Sequence, residues 1–401
     1  MRVLVVHDYG TLSGGAEVMA WTICEGLRAR GHQALLFTST ARPLPLPVRA
    51  DATCFGTLSP LRRVLQAVNP HAPWRLRRVL DSFRPDLVHV KMFLTQLSPL
   101  ILPLLRPFPS LLHVVNYELI CPLNTKTLPS GAACRERQGT VCRRNGCLPW
   151  LGVARAAVQR YLTDLSAFDR IIANSRWVAE RLQAEGVQVD GWVPNGVALR
   201  AQRPPLGEQP VVGFAGRLVS KKGVDVLLHA MVLLLRQQPA TKLVVVGDGP
   251  ERGRLTALAQ ALRIEQAVDF LGHLERGAVE AALASAWVQA VPSRWEEPFG
   301  LVAAEAMMRG TATVASRSGG LTEQIIDGET GYLVAPGDPT ALAQGLARVL
   351  GDRALAEGMG AAGRRRALAE LTEERHLDRM LAVYGELVSR REGRSSTEVG
   401  L

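Results

Sequence analysis

Two carboxylates lie on either side of a predicted helix start in the second half of the chain. Glu297 precedes the turn Pro298–Gly300, which breaks the preceding strand, and Glu305 lies one to two turns inside the helix predicted from Leu301 to Met308. The first amides of a helix lack internal partners and lie at the positive end of its dipole, so they suit a diphosphate. Carboxylates on both sides could hold the hydroxyl groups of a nucleotide-sugar. An ordinary amphipathic helix with a charged cap is the alternative.

A glycine-bounded segment upstream offers cations to the same kind of ligand. Arg217 and Lys222 lie between Gly216 and Gly223, in a stretch that ends a strand and opens a helix. Guanidinium and ammonium groups bind phosphate, and glycines allow a ligand to approach the backbone closely. Comparable segments follow other predicted strands, and they contain Gly14, Gly15, Gly247, Asp248, Phe270, Leu271, Gly319 and Gly320.

Strand and helix patterns alternate along the chain, which predicts an α/β fold with parallel sheets and crossover helices. Near-continuous runs of Val, Leu and Ile are typical of strands buried on both faces. We expect two doubly wound, Rossmann-like domains that face each other across a cleft, with ligand at the carboxyl ends of the strands. The predicted strands are Arg2–His7, Gln33–Thr38, Asp86–Val90, Leu111–Val115, Arg170–Ala173, Val211–Ala215, Lys242–Val246, Val268–Leu271, Trp287–Val291 and Thr313–Ala315. The predicted helices are about Gly15–Arg30, Thr95–Leu105, Leu151–Ser166, Arg176–Glu185, Val224–Gln237, Glu251–Leu262, Ala278–Ser285, Leu301–Met308 and the short Leu321–Ile326.

The predicted domain boundary lies in the polar, proline-containing segment Ala198–Gln209. We therefore expect an N-terminal domain over residues 1–200 and a C-terminal domain, which carries the diphosphate site, over 201–370. Residues 371–390 are predicted to form a helix that crosses back onto the first domain. Residues 391–401 lack periodicity, which predicts a mobile tail.

Composition indicates a globular protein that does not bind nucleic acid. Hydrophobic residues make up 47% of the chain and charged residues 21%, and apolar runs are too short to span a bilayer. The N-terminal segment Met1–His7 predicts a first strand rather than a signal peptide, so we expect a cytoplasmic location. Aromatic residues make up only 5%, and no nucleic-acid-reading motif is present.

A basic segment in the first half predicts a peripheral contact with an anionic membrane or a lipid phosphate. The formal net charge is +10, and five arginines fall in one stretch without an acidic residue. Apolar residues alternate with them, as expected of a surface that meets lipid headgroups. A solvated basic face is the alternative. The arginines are Arg62, Arg63, Arg75, Arg77 and Arg78.

Four of the six cysteines cluster in a loop-like stretch over residues 118–148: Cys121, Cys134, Cys142 and Cys147. A cytoplasmic protein seldom contains structural disulfides, so clustered thiols indicate a structural metal site, a redox device or plain thiols. Their spacings are C-x12-C, C-x7-C and C-x4-C, and only the last approaches that of a zinc knuckle.

Taken together, the motifs resemble glycosyltransferase family 4, the retaining enzymes with the GT-B fold. The resemblance runs from about Met1 to Val388 and includes the E-x7-E signature from Glu297 to Glu305. It also includes, in the family's order, the motifs Gly-Gly-Ala-Glu, Gly-Arg…Lys-Gly, Val-Gly-Asp-Gly-Pro and Phe-Leu-Gly. A lone E-x7-E is a weak signal, but the ordered set is specific.

The resemblance implies a role for each matched residue. Arg217 and Lys222 would neutralise the donor diphosphate, Glu305 would hold the ribose, and Glu297 would hold hydroxyls of the transferred sugar. The amides of Phe299, Gly300 and Leu301 would contact sugar and phosphate. Gly14 and Gly15 would approach the diphosphate from the first domain. The other implied donor contacts are Gly216, Gly247, Asp248, Phe270 and Leu271.

The resemblance also implies transfer, with retention, of a hexose-type sugar from a nucleoside diphosphate. We expect a polyprenyl-linked or other envelope glycan as the acceptor. No cofactor is expected, and the sequence lacks the Asp-x-Asp motif that clamps a metal in other sugar transferases, so we expect metal independence. A catalytically silent nucleotide-sugar-binding protein and a nucleotide-sugar epimerase are the alternatives.

One segment departs from the family pattern. Members often have His-Asp-Tyr before Cys-Pro at the end of the fourth predicted strand, where this chain has Val115 and Asn116 in place of the histidine and aspartate. His113 lies two residues upstream on the same face of the strand, deeper in the sheet. We interpret it as a core histidine rather than a substitute. The departure favours the silent-protein alternative and affects the handling of sugar or acceptor.

Overall fold

The computed structural model of the chain describes residues 1–398, with the side chains at 276 and 392–398 excepted. The chain forms two compact units. The first consists of residues 1–129, 134–196 and the segment from 373 onward; the second consists of residues 130–133 and 197–372. None of the described helices is long and apolar enough to cross a lipid bilayer.

The first unit contains a parallel sheet of seven strands in the order β3-β2-β1-β4-β5-β6-β7. Its strands are β1 (Arg2–Tyr9), β2 (Gln33–Ser39), β3 (Ala52–Cys54), β4 (Leu87–Val90), β5 (Ser110–Val114), β6 (Arg170–Ala173) and β7 (Gly191–Trp192). Its helices up to β7 are α1 (Gly15–Ala29), α2 (Arg62–Leu65), α3 (His71–Phe83), α4 (Val141–Arg144), α5 (Trp150–Leu162) and α6 (Arg176–Ala184).

The second unit contains a parallel sheet of six strands in the order β10-β9-β8-β11-β12-β13. Its strands are β8 (Val211–Ala215), β9 (Lys242–Val246), β10 (Val268–Gly272), β11 (Val288–Val291), β12 (Ala312–Ser316) and β13 (Gly331–Val334). Its helices are α7 (Val224–Gln237), α8 (Arg252–Ala261), α9 (Arg276–Ala282), α10 (Leu301–Arg309), α11 (Leu321–Gln324), α12 (Pro339–Leu350) and α13 (Arg353–Glu370).

The last helix, α14 (Glu373–Glu398), belongs to the first unit. Its apolar residues, among them Met380 and Tyr384, are buried in one core cluster with Val3 and Val5 of β1. Gly26 of α1 allows α14 to pack closely, because a Cβ there would lie 2.8 Å from Leu377. The C-terminal helix thus returns to the first unit.

Each sheet reverses its strand order once. The switch lies between β1 and β4 in the first unit and between β8 and β11 in the second. In doubly wound sheets the loops at the carboxyl ends diverge at such a point and leave a crevice for ligand. The second switch point therefore brings together the loops that follow β8 and β11.

The predicted α/β fold with two doubly wound parallel sheets is confirmed. Helix α14 extends to Glu398, into the segment predicted as a mobile tail from residue 391. The mobility of that segment stays a prediction. Residues 399–401 of that predicted tail lie outside the described residues.

Candidate functional site

The loops after β8 and β11 are in direct contact at the carboxyl edge of the second sheet. Gly223 ends the first loop with φ 68°, and a Cβ there would lie 2.0 Å from the carbonyl oxygen of Pro292 in the second loop. The Arg294 amide also donates a 2.9 Å hydrogen bond to the carbonyl of Lys221. Only glycine combines this backbone conformation with so close an approach. The contact fixes the cations of one loop against the carboxylate of the other.

An ion pair joins the two loops. Lys222 Nζ lies 2.5 Å from Glu297 Oε1, and Ser293 Oγ donates to the same oxygen at 2.6 Å. The side chain of Glu297 is 6% exposed and that of Lys222 22%. Burial raises the pKa of Glu297, but the Lys222 ammonium and nearby hydroxyl and indole donors outweigh it and lower the pKa. Glu297 is therefore a buried, ionised carboxylate that accepts hydrogen bonds.

Two further cations lie beside this pair. Lys221 Nζ is 3.7 Å from the ring centroid of Trp295, which gives it a cation–π contact. Burial, followed by the like charge of Lys222, lowers the pKa of Lys221 to about 8. The charge of Arg217 acts in the same direction, so the three cations lie within electrostatic reach of one another. Arg217 is exposed at the start of the loop that follows β8, where a ligand can reach it.

The start of α10 borders the same loop. Gly300 precedes it with φ 91°, and its carbonyl accepts from the Ala303 amide at 2.9 Å. The loop after β12 supports this turn, because the Gly320 amide donates to the Glu297 carbonyl at 2.7 Å. A Cβ at Gly319 would lie 2.3 Å from that carbonyl oxygen. The N-terminus of α10 is thus held beside Glu297, where its first amides suit an anion.

The remaining residues of the predicted α10 site have distinct environments. Phe299 is buried, while Leu301 and Glu305 are half-buried on α10. The charge of Glu305 acts on Arg309 in the following turn, where it opposes the lowering of the pKa by burial.

The loop after β9 adjoins the β8 loop. Gly247 packs against Gly216, since a Cβ there would lie 1.9 Å from the Gly216 carbonyl oxygen. The backbone of Asp248 accepts from the Leu218 amide at 2.9 Å, and its exposed carboxylate accepts from the Gly249 amide at 2.7 Å. At the end of β10, Phe270 packs against the core and Leu271 is 43% exposed. These predicted donor contacts therefore lie on the carboxyl edge of the second sheet, and their roles stay predictions.

Gly14 and Gly15 lie at the start of α1 in the first unit. Their predicted role in diphosphate binding stays a prediction.

The end of β5, where the sequence departs from the family pattern, is buried. His113 is fully buried, and its Nδ1 lies 3.5 Å from Lys91 Nζ. Burial, and then the charge of Lys91, lowers the pKa of His113 well below its usual value, so the ring is neutral. Val115 is also buried. His113 is thus a buried residue of the core, as we interpreted it from the sequence.

Sequence reasoning missed three contributors to this site: Lys221, Ser293 and Trp295. Lys221 lies inside the Gly-Arg…Lys-Gly motif and Trp295 lies two residues before Glu297, and a second lysine beside Lys222 was a usable signal. Ser293 gave no such signal, because its contribution depends on the distance between its hydroxyl group and Glu297, which the sequence does not show.

Two family models match almost the whole chain between them. The model described as "Glycosyl transferase 4-like domain" matches residues 14–198, and "Glycosyl transferases group 1" matches 198–366. A phosphatidyl-myo-inositol mannosyltransferase of Mycobacterium leprae is 35% identical over 90% of this chain and 91% of its own length. A glycogen synthase of Mycobacterium tuberculosis is 38% identical, but the chain matches only 41% of its length.

Solved structures show the same architecture. A sucrose-phosphate synthase from Thermosynechococcus elongatus has a TM-score of 0.75 at 25% identity and covers 97% of this chain and 100% of its own. The Anabaena protein Alr3699/HepE, solved with UDP and glucose, has a TM-score of 0.70 at 19% identity. That match covers 96% of this chain and 100% of the Anabaena chain.

Proposed function

The chain belongs to glycosyltransferase family 4 and has the GT-B fold, and we propose that it transfers a hexose with retention from a nucleoside-diphosphate sugar. The acceptor is a lipid-linked or other cell-envelope glycan. Similarity to relatives named as mannosyl and inositol glycosyltransferases supports a hexosyl donor. UDP in the HepE structures supports a nucleoside diphosphate as leaving group.

The observation that carries this proposal is the Lys222–Glu297 pair at the switch point of the second sheet. Departure of a nucleoside diphosphate develops negative charge on its β-phosphate. Arg217, Lys222 and the first amides of α10 stabilise that charge more in the transition state than in the ground state. The ionised Glu297 accepts hydrogen bonds from hydroxyl groups of the sugar, which lies beside it.

The same arrangement supports metal independence. Three cations within electrostatic reach of one another offset the charge of a diphosphate, which is the task that a divalent ion performs in other sugar transferases. Full activity in the presence of a chelator is therefore expected.

The lipid-linked acceptor is supported by a surface of the first unit, which we call the basic apolar face. It consists of exposed apolar side chains of the β3–α3 region and of α5, together with exposed arginines of the β3–α3 region. Leu151 is 81% exposed and Tyr161 89%. The members are Phe55, Leu58, Leu61, Val64, Val68, Trp74, Trp150, Leu151, Val158 and Tyr161, with Arg63, Arg77 and Arg78.

The two parts of the basic apolar face adjoin each other. Gln159 of α5 donates to the carbonyl of Gln66 at 2.7 Å, and Arg155 contacts the side chain of Gln66. Burial, and then the charge of Arg63, lowers the pKa of Arg155. Large exposed apolar patches mark interaction sites, and arginines attract anionic headgroups. We infer that this face meets an anionic bilayer at the cytoplasmic side, where a lipid-linked acceptor is available.

The test combines donor binding with transfer. Thermal melting is followed with UDP, GDP and their hexose conjugates, because a bound donor raises the melting temperature by mass action. Release of free sugar, and transfer of sugar to acceptors in a lipid extract, are then measured for the wild-type chain and for Glu297→Gln. Lys242→Met is the control variant. Lys242 is the first residue of β9, so it lies at the amino ends of the strands, whereas the candidate site lies at their carboxyl ends.

The outcomes separate the readings. We expect one nucleotide series to raise the melting temperature and support turnover that Glu297→Gln abolishes and Lys242→Met retains. Donor binding without hydrolysis or transfer by the wild-type chain would instead identify a catalytically silent binder, the reading favoured by Val115. Absence of any nucleotide effect would contradict the proposal.

A further inference from the structure

A cavity beneath the loop between β5 and α5 is lined by four thiols. It is small and opens to solvent, with a volume of about 20 Å³. Half of its other lining residues are apolar, with Ile120, Leu123 and Leu148 among them. The cysteines are Cys121, Cys134, Cys142 and Cys147, so four of the six in the chain share this cavity.

Backbone hydrogen bonds place two of the four cysteines next to each other. The amides of Cys147 and Leu148 both donate to the Cys142 carbonyl, at 2.8 and 3.0 Å. The side chains of all four cysteines line the same cavity.

The loop that carries the thiols is long and has little regular structure. Between Val114 and Trp150, the four-residue helix α4 is the one helix or strand described. Two non-glycine residues, Asn124 and Lys126, have left-handed backbone with φ 64° and 49°. Ordered loops of this length without secondary structure are uncommon, and left-handed backbone at non-glycine residues persists only where surrounding contacts or cross-links impose it.

Some of that cross-linking is visible without the thiols. Lys126 is almost fully buried, and its Nζ lies 2.5 Å from Glu185 and donates to the carbonyl of Glu136 at 2.7 Å. The Arg181 guanidinium donates to the Cys134 carbonyl at 2.7 Å. These bonds fix the side of the loop that faces α6. The cysteines lie free, and none of them is in a disulfide in the described part of the chain.

We propose that the cavity holds a metal centre ligated by the thiolates of Cys121, Cys134, Cys142 and Cys147. Sulfur ligands select thiophilic metals, so the centre is Zn²⁺ or an iron–sulfur cluster. Each thiol releases its proton to solvent as its sulfur–metal bond forms. The inference goes beyond sugar transfer, because the centre would stabilise the loop and would take no part in the chemistry at Glu297.

Binding requires the thiols to move. Within residues 1–398, no three His, Cys, Asp or Glu side chains are arranged closely enough to hold an ion. Ligation would therefore draw the sulfur atoms inward across the cavity by rotation of their side chains. Coupling of metal binding to local folding is common, because a preformed site seldom exists in the free chain.

The test is the metal content of the full chain, purified under anaerobic conditions without chelator. Zinc, iron and acid-labile sulfide are quantified, and about one centre per chain is expected. Zinc without sulfide identifies a zinc site, and iron with sulfide identifies a cluster; both support the proposal. A chain that contains neither after reconstitution with each metal overturns it, whether its thiols are free or joined in disulfides.

Matched variants locate the centre. Cys142→Ser and Cys147→Ser should each lose most of the bound metal, while Cys24→Ser and Cys54→Ser should retain it. Cys24 and Cys54 are isolated and buried, and burial raises the pKa of each to about 12. Co²⁺ titration of the metal-free wild-type chain gives a second readout, since sulfur-to-cobalt charge-transfer absorption requires thiolate ligands. Retention of metal by both cavity variants, or absence of that absorption, would refute the assignment.

Discussion

Replacement of Lys222 by methionine tests the site most completely, because it removes a charge and keeps most of the side-chain volume. In the wild-type chain Lys222 lies 2.5 Å from a carboxylate that is 6% exposed. Lys222→Met leaves Glu297 buried with only its hydrogen-bond donors. The variant also lacks one of the cations proposed to stabilise the leaving diphosphate.

The substitution should change two free energies, that of unfolding and that of the activation barrier. Removal of one partner of a buried ion pair costs about 3–5 kcal/mol. Because Lys222 is 22% exposed and water can reach its place, we expect a loss of about 2–3 kcal/mol in the free energy of unfolding. Loss of one preorganised charge at the transition state costs roughly 3–4 kcal/mol of barrier, so kcat/KM should fall by about 100- to 1000-fold.

The stability loss should depend on pH. In the wild-type chain the pKa of Glu297 is lowered, so this carboxylate stabilises the fold above the unfolded-state pKa and loses that contribution as pH falls through the folded pKa. In Lys222→Met, burial remains and the Lys222 charge is gone, so the pKa rises above its usual value. The stability deficit should therefore be largest near neutral pH. It should shrink as pH falls, first through the raised pKa of Glu297 in the variant and then through the lowered pKa in the wild-type chain.

The assay is a double-mutant cycle with Lys222→Met, Glu297→Gln and the double variant. Urea denaturation gives the free energy of unfolding, and initial rates give kcat/KM. The double variant should regain part of the lost stability, since no charge is left buried alone, but none of the lost rate. Near-normal kcat/KM in Lys222→Met, or a stability deficit that does not vary with pH, would refute the reasoning.

The remaining predictions concern the same site and the basic apolar face. Gly223→Ala should destabilise the chain by more than about 1 kcal/mol, measured by urea denaturation, because its φ is 68° and a Cβ would clash with Pro292; unchanged stability would show that the two loops are not held together. Donor affinity, measured by calorimetry, should decline as pH rises through about 8, where Lys221 loses its charge, and Lys221→Met should bind more weakly with a flatter pH profile. Arg77→Glu/Arg78→Glu should abolish sedimentation with phosphatidylglycerol vesicles at low salt, where screening is weakest, while donor-induced thermal shifts persist; wild-type chain that ignores such vesicles would end the membrane inference.

The sequence was most informative for strands buried on both faces. Val211–Ala215 and Lys242–Val246 were predicted with the bounds that the structure has, because these short, mostly apolar segments end abruptly at glycine turns. Short strands were missed, among them β3, β7 and β13, since two to four residues at or near a sheet edge carry too little periodicity.

Proline content misled the helix predictions in both directions. The helix predicted over Thr95–Leu105 is a 3₁₀ turn at Pro99–Leu104, because prolines remove backbone donors. Helix α3 was not predicted, and its residues were interpreted only as a basic surface. Pro73 does not exclude this helix, because it lies in the first turn, where proline is tolerated. Helix α12 also went unpredicted, yet Asp338 caps it through the amides of Thr340 and Ala341, which is a readable signal.

The candidate site could be predicted residue by residue but not as an arrangement. Lys222 and Glu297 came from separate motifs 75 positions apart, and their spacing gives no distance. That distance follows from strand order, because β8 and β11 are neighbours at the point where the order reverses. Sequence spacing also could not show that Ser293 donates to Glu297 or that Trp295 lies under Lys221.

A crystal structure of the chain with a bound nucleoside diphosphate measures the central relation directly. We predict the β-phosphate within hydrogen-bond distance of Lys222 Nζ and of the amides at the start of α10, with Arg217 turned towards the same group. A diphosphate bound elsewhere, with Lys222 still paired only to Glu297 and α10 empty at its N-terminus, would contradict the account.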